Sequence, residues 1–229
     1  MVDHTQATQT ATGPAARPAA RATVREPGGR QAAYTARNRA ALISAAQQVL
    51  ADFGVEATVE QLVAQAQVSP ATIYNYFGSK EALLTEALSQ MWMEWLAEAY
   101  DGKQPGESFD DMVDVCRKLF RVGESHPLFA QVLNKTLKDP SFIVAAVGAQ
   151  GRSTLRETAG SGGLDLSDFD KRVSLFTHAI AGIMQDVHVT KELAPAEADV
   201  SLAIALSLWN LSPAEASRLT SRPLSSSLA

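Results

Sequence analysis

The stretch from Thr58 to Leu84, TVEQLVAQAQVSPATIYNYFGSKEALL, admits few folds. Thr58 followed three residues on by Gln61 is a capping box, in which the threonine oxygen takes an orphan amide and the glutamine returns a bond to the threonine amide. A helix opening there buries Val59, Leu62, Val63 and Ala66 on one side. Gln67 and Val68 make the turn. Ser69-Pro70 is a second start signal, because the serine bonds an orphan amide and proline at the first helical position loses nothing. The new helix is about two turns long, since Gly78 stops it and Ser79 caps another, with Lys80 in the first turn and Leu83, Leu84 and Leu88 in its apolar stripe. In the short helix Ile73 and Phe77 share the inward face. Pro70, Ala71, Thr72, Tyr74, Asn75 and Tyr76 then face out. An exposed short helix carrying Thr, Asn and two Tyr, presented by a helix and a turn, has the dimensions of an element that enters the DNA major groove.

Val68-Ser69, Thr72-Ile73-Tyr74, Tyr76-Phe77, Ser79-Lys80-Glu81 and Leu84 together resemble the N-terminal helix-turn-helix domain of the tetracycline-repressor (TetR) family. The resemblance runs from about Arg37 to Trp95. Two positions depart from the family pattern: Val63 stands where alanine is usual and Gln67 where glycine is usual. A left-handed backbone at residue 67 costs glutamine about 1 kcal/mol more than glycine.

The resemblance implies an all-α homodimer that regulates transcription, a ligand-released repressor reading a near-palindromic operator through residues 58–80. Within it Thr72, Asn75 and Tyr74 are the base-edge candidates, with Ala71 and the Thr72 methyl suited to thymine methyls. Thr58, Tyr76 and Lys80 are phosphate candidates, and Ser69 and Pro70 complete the DNA-binding set. Tyr76 has a second reading, packing on the domain's own core. The alternative function is a helical small-molecule sensor or interaction protein without sequence-specific DNA binding.

With 229 residues and 46% apolar content, the chain holds one or two domains with a sizeable core. No apolar run reaches the length of a membrane span and the first thirty residues lack a signal-like block, so a cytoplasmic protein without membrane contact is expected. The single Cys116 excludes an internal disulfide framework and a cysteine zinc motif. The net charge of −5 is uneven: residues 1–82 carry seven Lys and Arg against six acids, the remainder 13 against 19. The positive excess lies on the side expected to meet phosphates.

Residues 1–35 have the Ala, Thr, Gln, Pro and Gly composition of a disordered tail, punctuated by Arg17, Arg21, Arg25 and Arg30, with Arg37 and Arg39 following. These arginines suit either a solvated tail or an arm along the DNA backbone or minor groove. A DNA-binding domain is assigned to 36–96, a helical ligand-binding and dimerisation domain to 97–211, and a mostly disordered tail to 212–229. Helix one is predicted over Asn38–Phe53, with Leu42, Ala46, Val49, Leu50 and Phe53 at helical spacing; the fourth helix runs from Lys80 to about Tyr100. After the break at DGKQPG, helices open at Ser108, at His126-Pro127, at Asp139-Pro140, at Ser167 with Asp170 (to about Val189) and at Pro195 (to about Leu211). Ser212-Pro213 with Glu215 starts one more turn. The last two long helices hold more apolar surface than one face needs. In the resembled family they form a four-helix dimer interface with their copies, and the surplus agrees with that.

No residue set supports catalysis. His126, His178 and His188 lack the Glu-x-x-His or His-Glu-x-x-His spacing of helical metal centres, and no nucleophile elbow or P-loop occurs; Gly160-Ser161-Gly162-Gly163 follows no strand. No cofactor and no metal are expected. The bundle is expected to hold a small effector instead, with Trp95, Cys116, Phe120, Phe129, Leu133, Phe142, Phe176 and His178 as candidate lining. Few of these are charged, which favours an apolar or aromatic molecule.

Overall fold

A computed structural model describes residues 28–138, 151–160, 164 and 166–224. Among the described residues every regular element is a helix. They are α1 (Gly28–Phe53), a 3-10 turn (Gly54–Glu56), α2 (Val59–Ala66), α3 (Pro70–Phe77) and α4 (Lys80–Ala99). After a loop come α5 (Phe109–Leu119), α6 (Val122–Ser125), α7 (Pro127–Thr136) and α8 (151–160). The chain continues with α9 (Phe169–Gln185), a π-helical turn (Asp186–Thr190), α10 (Pro195–Ala205), a 3-10 turn (Leu206–Trp209) and α11 (Pro213–Ser221).

The first three helices and the start of α4 enclose a small core of Leu42, Leu50, Leu62, Ile73, Leu83 and Leu84, all almost fully buried. The later helices pack around a second set that includes Val113, Leu133, Phe176, Leu202 and Trp209. The two parts are joined by α4, which touches α1, α3 and α5, and by α7, which packs along α1 and its 3-10 turn. At that seam Gly54 has φ +67°, and a Cβ there would come within 3.0 Å of the Lys135 Cβ, so glycine both permits the turn and lets α7 approach.

Several sequence expectations are corrected at element ends. Helix α1 starts ten residues before Asn38, so the tail assigned to 1–35 is helical from residue 28. Residues 31–37 are exposed; their Ala, Gln and Arg content sustains a helix by propensity alone and leaves no apolar period to read. Phe53, assigned to the core face, is 48% exposed because the chain turns away at Gly54. Ser167 does not cap α9: the N-cap is Asp168 in a left-handed conformation (φ 51°), while the Ser167 carbonyl accepts from Arg172 Nε at 2.7 Å. Helix α9 stops at Gln185 and gives way to the π turn, and α10 tightens to a 3-10 turn at Leu206.

The segment after Ser212 is more than one turn. A full capping box, with Ser212 Oγ accepting from the Glu215 amide (3.3 Å) and the Ser212 amide donating to Glu215 Oε2 (3.0 Å), opens a nine-residue helix that buries Ala216, Leu219 and Thr220. The disordered tail expected over 212–229 is thereby corrected for residues 213–221. Helix α11 is fastened at its end, where Arg222 pairs with Asp110 and Asp114 and its carbonyl accepts from Arg117 at 2.8 Å. Arg117 and Arg121 share Asp199 of α10, at 3.3 and 2.6 Å. The helix start at Asp139-Pro140, the candidate Phe142, and Arg17, Arg21 and Arg25 lie outside the described residues.

Candidate DNA interface and bundle cavity

The turn between α2 and α3 is built by local bonds. Thr58 Oγ1 accepts from the Gln61 amide at 3.3 Å, and Gln61 Oε1 accepts from the Thr58 amide at 2.8 Å. Helix α2 ends on Gln67 at φ 54°, ψ 44°, the left-handed conformation that glycine would take without strain. Ser69 Oγ then accepts from the Thr72 amide at 3.3 Å and lies 3.0 Å from the Thr72 hydroxyl. Pro70 occupies the first position of α3, and Gly78 at φ 78° ends the helix. Ser79 Oγ accepts from the Ala82 amide at 3.0 Å to start α4.

Within α3 only Ile73 is fully buried, and it locks the helix onto the core. Pro70, Ala71, Tyr74 and Asn75 are exposed, Thr72 half-buried. Thr58 and Ser69 are exposed at the two helix starts, and Lys80 is half-buried, 3.6 Å from Glu81. Tyr76 is half-buried against the core, stacks near Phe77 at 6.5 Å, and its hydroxyl accepts from Asn38 Nδ2 at 3.4 Å. Its ring therefore packs on the domain, and its hydroxyl is bonded to α1. Arg39, counted with the arginine-rich approach, is held in place: its guanidinium forms a two-pronged pair with Glu86 and lies 4.8 Å above the Phe77 ring. That pair raises its pKa, the hydrogen bond to Glu86 being the main cause.

In the bundle, α4, α5, α8 and α9, with Leu137 at the end of α7, line a partly open cavity of about 230 Å³. Cys116, Phe176 and His178 line it. The aromatic on its wall from α4 is Trp92. Trp95, one helical step further round, is buried against Trp92 and Phe129, at ring separations of 5.5 and 5.9 Å. Phe120, Phe129 and Leu133 are buried core residues outside the cavity lining. Tyr100, at the end of α4, also faces the cavity, and burial pushes its phenol up to about 12, with Cys116 and Asp111 adding to the shift. Burial likewise pushes the Cys116 thiol up to about 12, so it is a protonated, unreactive wall group.

A family model described as "Bacterial regulatory proteins, tetR family" matches residues 42–87, which span the core of α1, both helices of the turn and the start of α4. By this match residues 42–87 are a TetR-family domain. The domain is the helix-turn-helix of bacterial transcription regulators. Solved structures with the same fold agree along most of the chain. RolR in complex with resorcinol is 18% identical, covering 86% of this chain and 99% of its own, with a TM-score of 0.62. RolR without ligand is 20% identical over 81% and 97% of the two chains, TM-score 0.59. A putative TetR-family regulator from Rhodococcus sp. is 19% identical over 76% and 98%, TM-score 0.55. A search of curated protein sequences gave no match.

The three described histidines serve separate local roles. His126 Nε2 lies 3.1 Å from Glu98, His178 Nδ1 lies 2.6 Å from the Ser174 carbonyl, and the buried His188 donates from Nε2 to the Leu119 carbonyl at 3.0 Å. Among the described residues no three metal-ligating side chains gather, and no helix is long and apolar enough to cross a membrane. Trp92, Leu96 and Tyr100 were legible as apolar positions of α4, but which of them faces the cavity depends on how α4 crosses α5 and α9. Helical spacing alone does not give that angle.

Proposed function

We propose that the protein is a ligand-released repressor that binds a near-palindromic operator as a homodimer, using the exposed face of α3. The observation that carries this reading is the doubly capped α3, pinned by Ile73 with Tyr74 and Asn75 standing clear. In this reading Thr72, Tyr74 and Asn75 meet base edges, Ala71 meets a thymine methyl, and Thr58, Ser69, Pro70, Tyr76 and Lys80 approach the backbone. Dimerisation is supported by the outer faces of α9 and α10, where Leu175, Val200 and Ile204 are 58, 62 and 71% exposed.

Control runs through α4, whose start packs on α3 and whose end forms the cavity wall. A ligand that favours one tilt of α4 changes the spacing of the two α3 helices, and half-sites about 34–36 Å apart tolerate little change. The apolar cavity and the resorcinol complex of RolR support a small aromatic effector. The deciding measurement is affinity for DNA upstream of the protein's own coding region and for a random duplex across a salt series. The regulator reading predicts a preference of about a thousandfold or more with a slope of several phosphates. Equal, weak binding to every sequence in a random-DNA selection overturns it in favour of a sensor without specific DNA binding.

A further inference from the structure

We infer that the cavity selects a neutral, hydroxyl-bearing aromatic molecule of one or two rings, whose O–H donates to Nε2 of His178. This rests on the ligand-cavity reading above and specifies its chemistry. Size follows from volume: an apolar cavity of about 150 Å³ accommodates benzene, so about 230 Å³ suits a substituted ring or two fused rings. The apolar walls include Trp92, Leu96, Leu119, Val173, Phe176 and Met184.

Polarity follows from the bonds its polar lining already makes. His178 Nδ1 lies 2.6 Å from the Ser174 carbonyl, and a carbonyl only accepts, so Nδ1 carries the hydrogen. In the neutral ring Nε2 then presents a lone pair; His178 is an exposed residue of the lining, and no donor among the described residues reaches that nitrogen. Three other polar groups on the wall have bonds of their own. Thr177 donates to the Val173 carbonyl at 2.8 Å, Cys116 to Met112 Sδ at 3.8 Å, and Arg152 to Asp170 at 3.1 Å. Tyr100, kept protonated by burial, is a further polar group on the wall, with Thr154 and Ser174. Among the described residues no carboxylate and no lysine lines the cavity, and its one guanidinium is paired, so an ionised ligand would lose its hydration without a counter-charge.

Calorimetric titration of the full-length protein with 4-methylphenol, toluene and 4-methylbenzoate tests this, because the three share a ring and differ in the polar end. One neutral hydrogen bond to an otherwise unpartnered acceptor gives 4-methylphenol an advantage of about tenfold over toluene, and 4-methylbenzoate binds weakest. His178→Phe brings the ratio of phenol to toluene near one while toluene still binds. His178→Gln, whose amide oxygen can accept, keeps part of the preference. Equal binding of 4-methylphenol and toluene to the unaltered protein, or a preference that survives His178→Phe, overturns the assignment of His178 and leaves the cavity standing as an apolar site. Failure of all three to bind overturns both readings.

Discussion

Gln67 holds a backbone conformation that suits glycine, at φ 54° and ψ 44°, and its amide still bonds the Val63 carbonyl to close α2. Gln67→Gly removes the left-handed penalty, and a gain of about 0.5–1 kcal/mol in the urea midpoint is expected without loss of specific DNA affinity. On α3, Asn75 and Lys80 separate two kinds of contact. Asn75→Ala should cost about 1–3 kcal/mol on the preferred operator only, whereas Lys80→Ala should weaken every duplex alike and lower the salt slope by about one. Fluorescence anisotropy on matched and random duplexes distinguishes them, and equal losses from both variants would remove the base-reading role of Asn75.

His188 sets a pH limit at the same scale. Burial holds its pKa below the ordinary imidazole value, against the opposing bond to the Leu119 carbonyl, with Lys191 adding to the lowering. Between the folded value and about 6.5 the unfolded chain takes up a proton that the folded chain does not. The stability due to this residue is therefore whole above about pH 6.5 and is lost as the pH falls through that window. His188→Gln should flatten the part of the acid slope that belongs to His188, read as the change in Tm between about pH 7.5 and 5.5 compared with the unaltered protein.

At the scale of elements, α3 has eight residues and one fully buried side chain, too little to persist alone. Its geometry comes from Ile73, buried in the core where α3 packs on α2 and α4. Ile73→Ala should destabilise the N-terminal part by about 2–5 kcal/mol, and hydrogen exchange should show α2 and α3 opening before the bundle. The capping signals at Thr58, Ser69, Ser79, Ser108 and Ser212 each predicted a helix start found in the structure, because those bonds are local and depend on spacing. Element ends set by packing or by weak propensity were harder to read. The start of α1 rests on exposed helix formers, Asp168 displaces Ser167 as the cap of α9, and the Arg222 pairs that fasten α11 join residues more than a hundred positions apart.

Across the whole molecule, the function proposed here depends on two copies acting together. Val200 and Ile204 are exposed apolar residues on α10, and replacing both with glutamate leaves the monomer's core untouched. The double variant should sediment as a monomer with unchanged helical circular dichroism. Its operator affinity should fall by about a hundredfold or more, because the second reading helix is no longer tethered. A dimer that survives the change would place the interface elsewhere.

By itself the sequence determined the all-helical class, the helix-turn-helix unit and the exposure of Pro70, Ala71, Tyr74 and Asn75, though not the packing of Tyr76, since caps, stop signals and the i, i+4 spacing of Ile73 and Phe77 act within a few residues. It also marked α9 and α10 as carrying more apolar surface than one face buries. Only the tertiary structure decided that Trp92 and Tyr100, and not Trp95, face the cavity, that Arg39 is tied to Glu86, and that the exposed His178 bonds the Ser174 carbonyl through Nδ1. Cavities and ion pairs arise where helices distant in sequence cross, and the crossing angles come from how all the side chains between them pack at once.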